Sequence, residues 1–201
     1  MKIIFTSYQA DWATQFDALK TELQSLLQAL NPTIEHIGST AIPGLAAKPI
    51  IDIAVGLRTP DELDLIPHYF AADRTYIYYK AFNAGMPRRR LFVRLQSPTP
   101  AAAFPSVFET EGEIPHEAIN PLRSAHVHVW VRDTPDWIRH LAFRDFLRAH
   151  DAERQAYETL KWSLAAQEWP NGMAYNQAKD SFVKTLEQEA LAWYRRYKTD
   201  D

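Results

Sequence analysis

Asp52 lies between Ile51 and Ile53 in an otherwise apolar run. An ionised carboxylate there is costly unless it has a partner or a ligand. The turn upstream, Gly38-Ser39-Thr40, has the chemistry an anionic oxygen asks for. Glycine lets a ligand approach the main chain, and the two following residues offer hydroxyl and amide groups. Lys48 follows in the same connection and can reach a phosphate as a point charge or stand solvated on the turn. Asp52 is therefore the candidate catalytic carboxylate, and Gly38, Ser39, Thr40 and Lys48 are candidate substrate-binding residues.

Further along, His126 and His128 alternate with Val127 and Val129, so both imidazoles share one face of a strand. If that face also carries Asp52, the three offer a 2-His-1-carboxylate metal set. The alternative is a pair of histidines that hydrogen-bond within a polar cleft. Arg88-Arg89-Arg90 and Arg94 form a local basic stretch. Arg88, Arg90 and Arg94 share parity and can face an anion, whereas Arg89 reads as a solvated hairpin edge. Tyr157 with Lys161, and Tyr175 with Lys179, are spaced i to i+4 on C-terminal helices. Lys161 and Lys179 then project toward the sheet as phosphate contacts or snorkel at its edge. Arg144, Asp145 and Arg148 suit an ion network that clamps a helix to the sheet.

These residues need elements to hold them. Trp12, Phe16, Leu19, Leu23, Leu26, Leu27 and Leu30 recur at helical spacing, which predicts an amphipathic helix over 9–30. Strands are expected at 33–38 and 49–57. Thr59-Pro60-Asp61-Glu62 carries an N-cap, an N1 proline and a capping-box glutamate, and opens a helix to about Ala72. Residues 75–83 and 90–96 suit an antiparallel pair across Asn83-Ala84-Gly85. The stretch 98–123, with Pro98, Pro100, Pro105, Pro115 and Pro121, is expected to be a long irregular excursion. A strand at 126–131 follows, then helices from Thr134-Pro135 to Ala149, over 151–167 and over 173–197, the last two separated by Trp169-Pro170-Asn171-Gly172. The fold class is α+β, a mixed sheet flanked by helices with a helical C-terminal third. One domain over 1–201 is expected, with its sheet core at 33–132 and C-terminal helices at 134–197.

Composition narrows the function. The 201 residues carry a net charge of −3, so no global attraction to nucleic acid or an anionic membrane is expected. There is no cysteine, which excludes disulfides, thiolate metal sites and a cysteine nucleophile. No run is long and apolar enough to span a membrane, and no signal-peptide core opens the chain, so a cytoplasmic location is expected. No organic cofactor is indicated.

The spacing from Gly38-Ser39 to Asp52 resembles the nucleotidyltransferase superfamily, which has Gly-Gly or Gly-Ser followed by Asp-apolar-Asp/Glu. More closely, His36-Ile37-Gly38-Ser39-Thr40, Pro43-Gly44-Leu45 and Ala47-Lys48-Pro49-Ile50-Ile51-Asp52 resemble the GrpB family. Gly85-Met86-Pro87-Arg88, His126-Val127-His128-Val129, Phe143-Arg144-Asp145-Phe146-Leu147-Arg148, Leu160-Lys161 and Tyr175 through Lys179 agree with that family too, so the resemblance spans nearly the whole chain. It implies a nucleotidyltransferase-like fold, with Arg88 in the family-like Gly-x-Pro-Arg motif. It also implies transfer of a nucleoside monophosphate from a nucleoside triphosphate to an acceptor, with Mg2+ or Mn2+ as the ion. The chain departs from the superfamily at the second acid, where Ala54 stands two residues after Asp52. A non-catalytic nucleotide- or protein-binding accessory module is the alternative, since in some bacteria a GrpB-type domain is fused to dephospho-CoA kinase. A metal-dependent hydrolase on Asp52, His126 and His128 is the third reading.

Overall fold

The computed structural model describes residues 4–97, 103–170 and 172–199, so Pro98, Pro100 and Asn171 of the two proline-containing connections lie outside the described residues. Helix α1 (Asp11–Leu26) buries Trp12, Phe16, Leu19 and Leu23 along one stripe. It is shorter than the apolar period suggests. A 3₁₀ turn over Gln28–Leu30 follows and ends at Asn31 in the left-handed region, which redirects the chain into β1 (Thr33–Ile37). Strand β2 (Ile51–Leu57) leads to α2 (Pro60–Phe70), whose N-terminus carries the capping box from Thr59 to Glu62. Then come β3 (Tyr76–Tyr78), β4 (Arg90–Leu95), the single turn α3 (His116–Ile119) and β5 (Arg123–Val131). Three helices close the chain: α4 (Pro135–Ala149), α5 (Asp151–Ala165) and α6 (Gly172–Thr199).

The five strands form one sheet in the order β1-β2-β5-β4-β3. β2 and β5 run parallel, and the other neighbouring pairs are antiparallel. The α+β class is therefore correct. One sheet face presents Ile34, Ile53, Val55, Val127, Val129 and Phe92 to α1 and α2 and forms the largest apolar core. His36 lies on this side, stacked on Phe16 at 4.6 Å. Burial pushes its pKa down to about 4.

The opposite face is covered in two patches. α4 packs Trp137, Ile138 and Leu141 on Ile37, Ala54 and Trp130. Phe108, Ile114 and Ile119 of the 103–122 connection pack on Ile77, Val93 and Leu95. The expected irregular excursion is thus, where described, a covering layer with its own apolar anchors. Its backbone also pairs with the sheet edge, Tyr78 N–H donating to Ser106 O at 2.8 Å and Phe108 N–H to Tyr78 O at 2.9 Å. The expected strand over 75–83 is cut to three residues because a 3₁₀ turn takes Lys80–Asn83. Between the two apolar patches the face is polar, and there Asp52, His126 and His128 sit.

The buried His36 sets a test. Its folded pKa lies below the ordinary 6.5, so between pH 6.5 and 4 the unfolded chain binds the extra proton and stability falls as pH falls. The loss attributable to this ring is on the order of 3 kcal/mol. Urea unfolding of His36→Gln should show a shallower stability slope than the parent over that range. Parallel slopes would show that the ring charges without cost.

Candidate functional site

β1 ends at Ile37, which pairs directly with Asp52 on β2. Opposite residues in an antiparallel ladder share a face, so the chain leaving β1 passes over the Asp52 side chain. Gly38 makes the passage, at φ 70° and ψ −172°. A Cβ on it would lie 2.5 Å from Asp52 Oδ2 and 2.9 Å from Asp52 Cβ. Only bare main chain fits. The chain then turns through Ser39–Ala41. Arg148 donates twice to Ala41 O, at 2.9 and 2.7 Å, and the buried Arg144 donates to Glu35 Oε2 at 2.7 Å and His36 O at 3.0 Å. With Asp145, these arginines form the expected clamp between α4 and the start of the turn.

The parallel register sets Asp52 beside His126 and Ala54 beside His128. His126 Nδ1 is 3.0 Å from Asp52 Oδ1, and His128 Nε2 is 3.8 Å from the same oxygen. Burial alone would push the Asp52 carboxyl up. The hydrogen bond from His126, the nearby His128 and the charge these rings carry when protonated outweigh it and hold the group well below the usual carboxylate range. Burial pushes His128 down, against the pull of Asp52. Its ring stacks on Trp130 at 5.3 Å, and its Nδ1 is buried without a partner among the described residues. Asp52, His126 and His128 are a trio whose ligand atoms lie within 4.8 Å of one another.

Positive charge surrounds this trio. Lys48 Nζ lies over the Tyr175 ring at 4.6 Å, and Lys179 Nζ over the same ring at 5.3 Å. Burial, then the charges of Lys179 and Arg123, pull the Lys48 pKa down to about 8 against the attraction of Asp52. These four groups therefore share one field. Among the described residues neither Lys48 nor Lys179 has an acidic partner within salt-bridge distance. The Tyr175 hydroxyl of that ring is buried without a hydrogen-bond partner among the described residues. Lys161 is 1% exposed and spends its ammonium on Ala46 O and on Ser39 Oγ, the latter at 3.3 Å. It is a post under the turn.

A family model described as GrpB protein matches residues 2–189. The chain belongs to the GrpB family. It is 33% identical to the protein in a crystal structure described as conserved protein GrpB from Enterococcus faecalis, with a TM-score of 0.72 over 95% of this chain and 99% of that one. It is also 32% identical to protein YqkA of Bacillus subtilis over 192 residues, 96% of this chain but only 48% of that relative, so it spans about half of YqkA. A glutamate-rich protein GrpB of Alkalihalophilus pseudofirmus is 26% identical over 94% of this chain and 95% of its own length.

Within this GrpB fold the sequence-derived candidates separate. Gly38, Asp52, His126 and His128 are in direct proximity, Lys48 acts on Asp52 and shares the Tyr175 ring with Lys179, and Ser39 is tied in through Lys161. Thr40 turns away, its Oγ1 3.0 Å from His36 Nε2 on the other side of the sheet. The arginine parity is reversed. Arg90 and Arg94 reach toward α2 and α1, pairing with Asp64 at 2.6 Å and Glu22 at 2.9 Å. Arg88 is exposed, whereas Arg89 is half-buried with its charge acting on His128 and His140. Strand alternation explains this, since Leu91 and Val93 pair with His128 and His126 and Arg89 continues their side.

Arg123 went unnoticed in the sequence. By parity it belongs with Ala125 and Val127, on the far side from His126. A β-bulge reverses that, because Leu95 pairs with Arg123 while Arg94 pairs with Ala125, leaving Ser124 as the extra residue. Bulges re-aim side chains in this way, and Arg123 Nη1 comes to 3.3 Å from His126 Nε2. No sequence signal marks the bulge.

Proposed function

We propose that this GrpB chain binds a nucleoside phosphate, with the phosphates seated between the Ser39 turn, Lys48 and Lys179. One observation carries the reading: two ammonium groups from different elements converge on one buried phenol, with no acid paired to either among the described residues. Assembling like charges is unfavourable unless a ligand of opposite sign completes the site. Relatives named dephospho-CoA kinase support a module reading, since one from Mycolicibacterium paratuberculosis matches 91% of this chain with only 44% of its own length.

The superfamily's paired magnesium site does not fit these residues. Ala54 holds the position of the second acid and is fully buried, and Glu35 is engaged by Arg144. Among the described residues no second carboxylate joins the Asp52 trio. Nucleotidyl transfer is the second reading, favoured by the contact between the Gly38 backbone and Asp52.

Calorimetric titration with ATP and with pyrophosphate tests the binding. Lys48→Met and Lys179→Met should each weaken affinity by roughly ten- to a hundredfold, the value of one charge-assisted contact. Unchanged affinity in both variants would remove the cleft as a phosphate site. Asp52→Asn, whose amide oxygen can still accept from His126 Nδ1–H, should leave affinity in a chelator equal or higher, because it deletes a negative charge. Release of pyrophosphate from a nucleoside triphosphate, lost in Asp52→Asn, would raise the transferase reading to first place.

A further inference from the structure

A 2-His-1-carboxylate set invites a metal, so the hydrogen atoms around it matter. A guanidinium donates and never accepts. Arg123 Nη1 stands 3.3 Å from His126 Nε2, so that nitrogen must be the acceptor and carry no proton. The proton of the neutral ring is then on Nδ1, where it is donated to Asp52 Oδ1 at 3.0 Å. A metal-binding histidine needs the reverse, a bare nitrogen toward the ion and an N–H toward an acceptor behind it. For His126 the group behind is a cation. For His128, the nitrogen behind is buried and has no hydrogen-bond partner among the described residues. A divalent ion would also meet Lys48, Lys179 and Arg123, with Asp52 as the one carboxylate in the trio.

We propose that Asp52, His126 and Arg123 form a metal-independent relay, in which Asp52 orients His126 and His126 holds Arg123 as a further phosphate contact. The chain of donors runs Arg123 N–H to His126 Nε2, then His126 Nδ1–H to Asp52 Oδ1. Arg123 has no carboxylate of its own within salt-bridge distance among the described residues, and it also donates to Asn120 O at 3.5 Å. Its remaining guanidinium hydrogens are therefore available to an anion, in the planar fork that suits a phosphate. Its bond to His126, itself on Asp52, sets Arg123 at the edge of the trio, and Lys48 feels its charge. This inference rests on the phosphate-binding reading for its ligand, but its protonation pattern stands apart from that reading.

The test uses tag-free protein dialysed against a chelator. In 15N spectra of the imidazoles near pH 8, His126 should show a protonated Nδ1 and a bare Nε2, and equimolar Zn2+ should leave the His126 and His128 signals in place. Pyrophosphate should bind in the chelator. Arg123→Gln should weaken it ten- to a hundredfold, with Arg123→Lys recovering only part. His126→Gln, with a melting curve confirming its fold, should weaken binding less than Arg123→Gln does. Displacement of the His126 and His128 signals by Zn2+, or pyrophosphate binding only when a metal is present, would overturn the relay. Full affinity in Arg123→Gln would overturn the phosphate contact. If pyrophosphate binds under no condition, the phosphate-binding reading and the Arg123 contact fail together, and the nitrogen spectra still decide the relay.

Discussion

Gly38→Ala should destabilise the protein by about 2–5 kcal/mol and abolish anion binding, the largest effect expected of any single methyl group in the chain. Two costs add. The backbone at φ 70° and ψ −172° belongs to a region that residues with a Cβ avoid. The new methyl would also lie 2.5 Å from Asp52 Oδ2, and the carboxylate cannot retreat without breaking its bond to His126. Relief would have to come from moving the turn, which is itself held by Arg144 and Arg148. Urea unfolding gives the stability and pyrophosphate titration the binding. A variant as stable as the parent, with intact affinity, would mean that the turn has room the geometry denies it.

Lys161→Met should make the rise of stability with pH between 7 and 10 shallower. Burial, then the charge of Lys179, pulls the Lys161 pKa down to about 7, against the smaller attraction of Glu158. In the unfolded chain the same group titrates near its ordinary 10.5. Between those values the unfolded state binds the extra proton, so the parent gains stability as pH rises, by about 1.4 kcal/mol per pH unit at most. Below pH 7 both states are protonated and the slope from this residue vanishes. Methionine has similar length and no proton, so the variant should lose this slope while keeping the one from Lys48, which begins near pH 8. Unfolding free energies at several pH values in this range, parent against variant, measure it. Parallel curves would show Lys161 charged and solvated in the folded state. The same variant removes the donor to Ser39 Oγ and Ala46 O, so weaker pyrophosphate binding should accompany the shallower slope through a displaced turn.

These two residues also mark how far the sequence could be read. Gly38 was visible because its neighbours are a strand on one side and hydroxyl residues on the other, and because Asp52 interrupts an apolar run. Lys161 was visible as a lysine beside Leu160 and Leu164, but its depth was not. Helical period says which face a residue joins, and only the packing of α5 against the 39–46 segment decides whether an ammonium there touches solvent. Its role shifts accordingly from ligand contact to support of the turn.

Local chemistry determined the elements. The apolar stripe of α1, the capping box at Thr59, the alternation of His126 and His128 and the turn at Gly38 each follow from neighbours a few residues apart, and each stands in the structure. An acid and two histidines on strands, and lysines on the preceding turn and on C-terminal helices, were thus legible from local pattern alone. Tertiary structure decided which of them meet. The parallel pairing of β2 with β5 puts Asp52 beside His126 across a separation of 74 residues. The bulge between Arg94 and Leu95 brings Arg123 to the cleft, and the register of β4 sends Arg90 and Arg94 to the other side. Strand periodicity has two solutions that differ by one residue, and a single bulge exchanges them. That choice is set by hydrogen bonds between strands distant in sequence, so no reading of the local pattern could have made it.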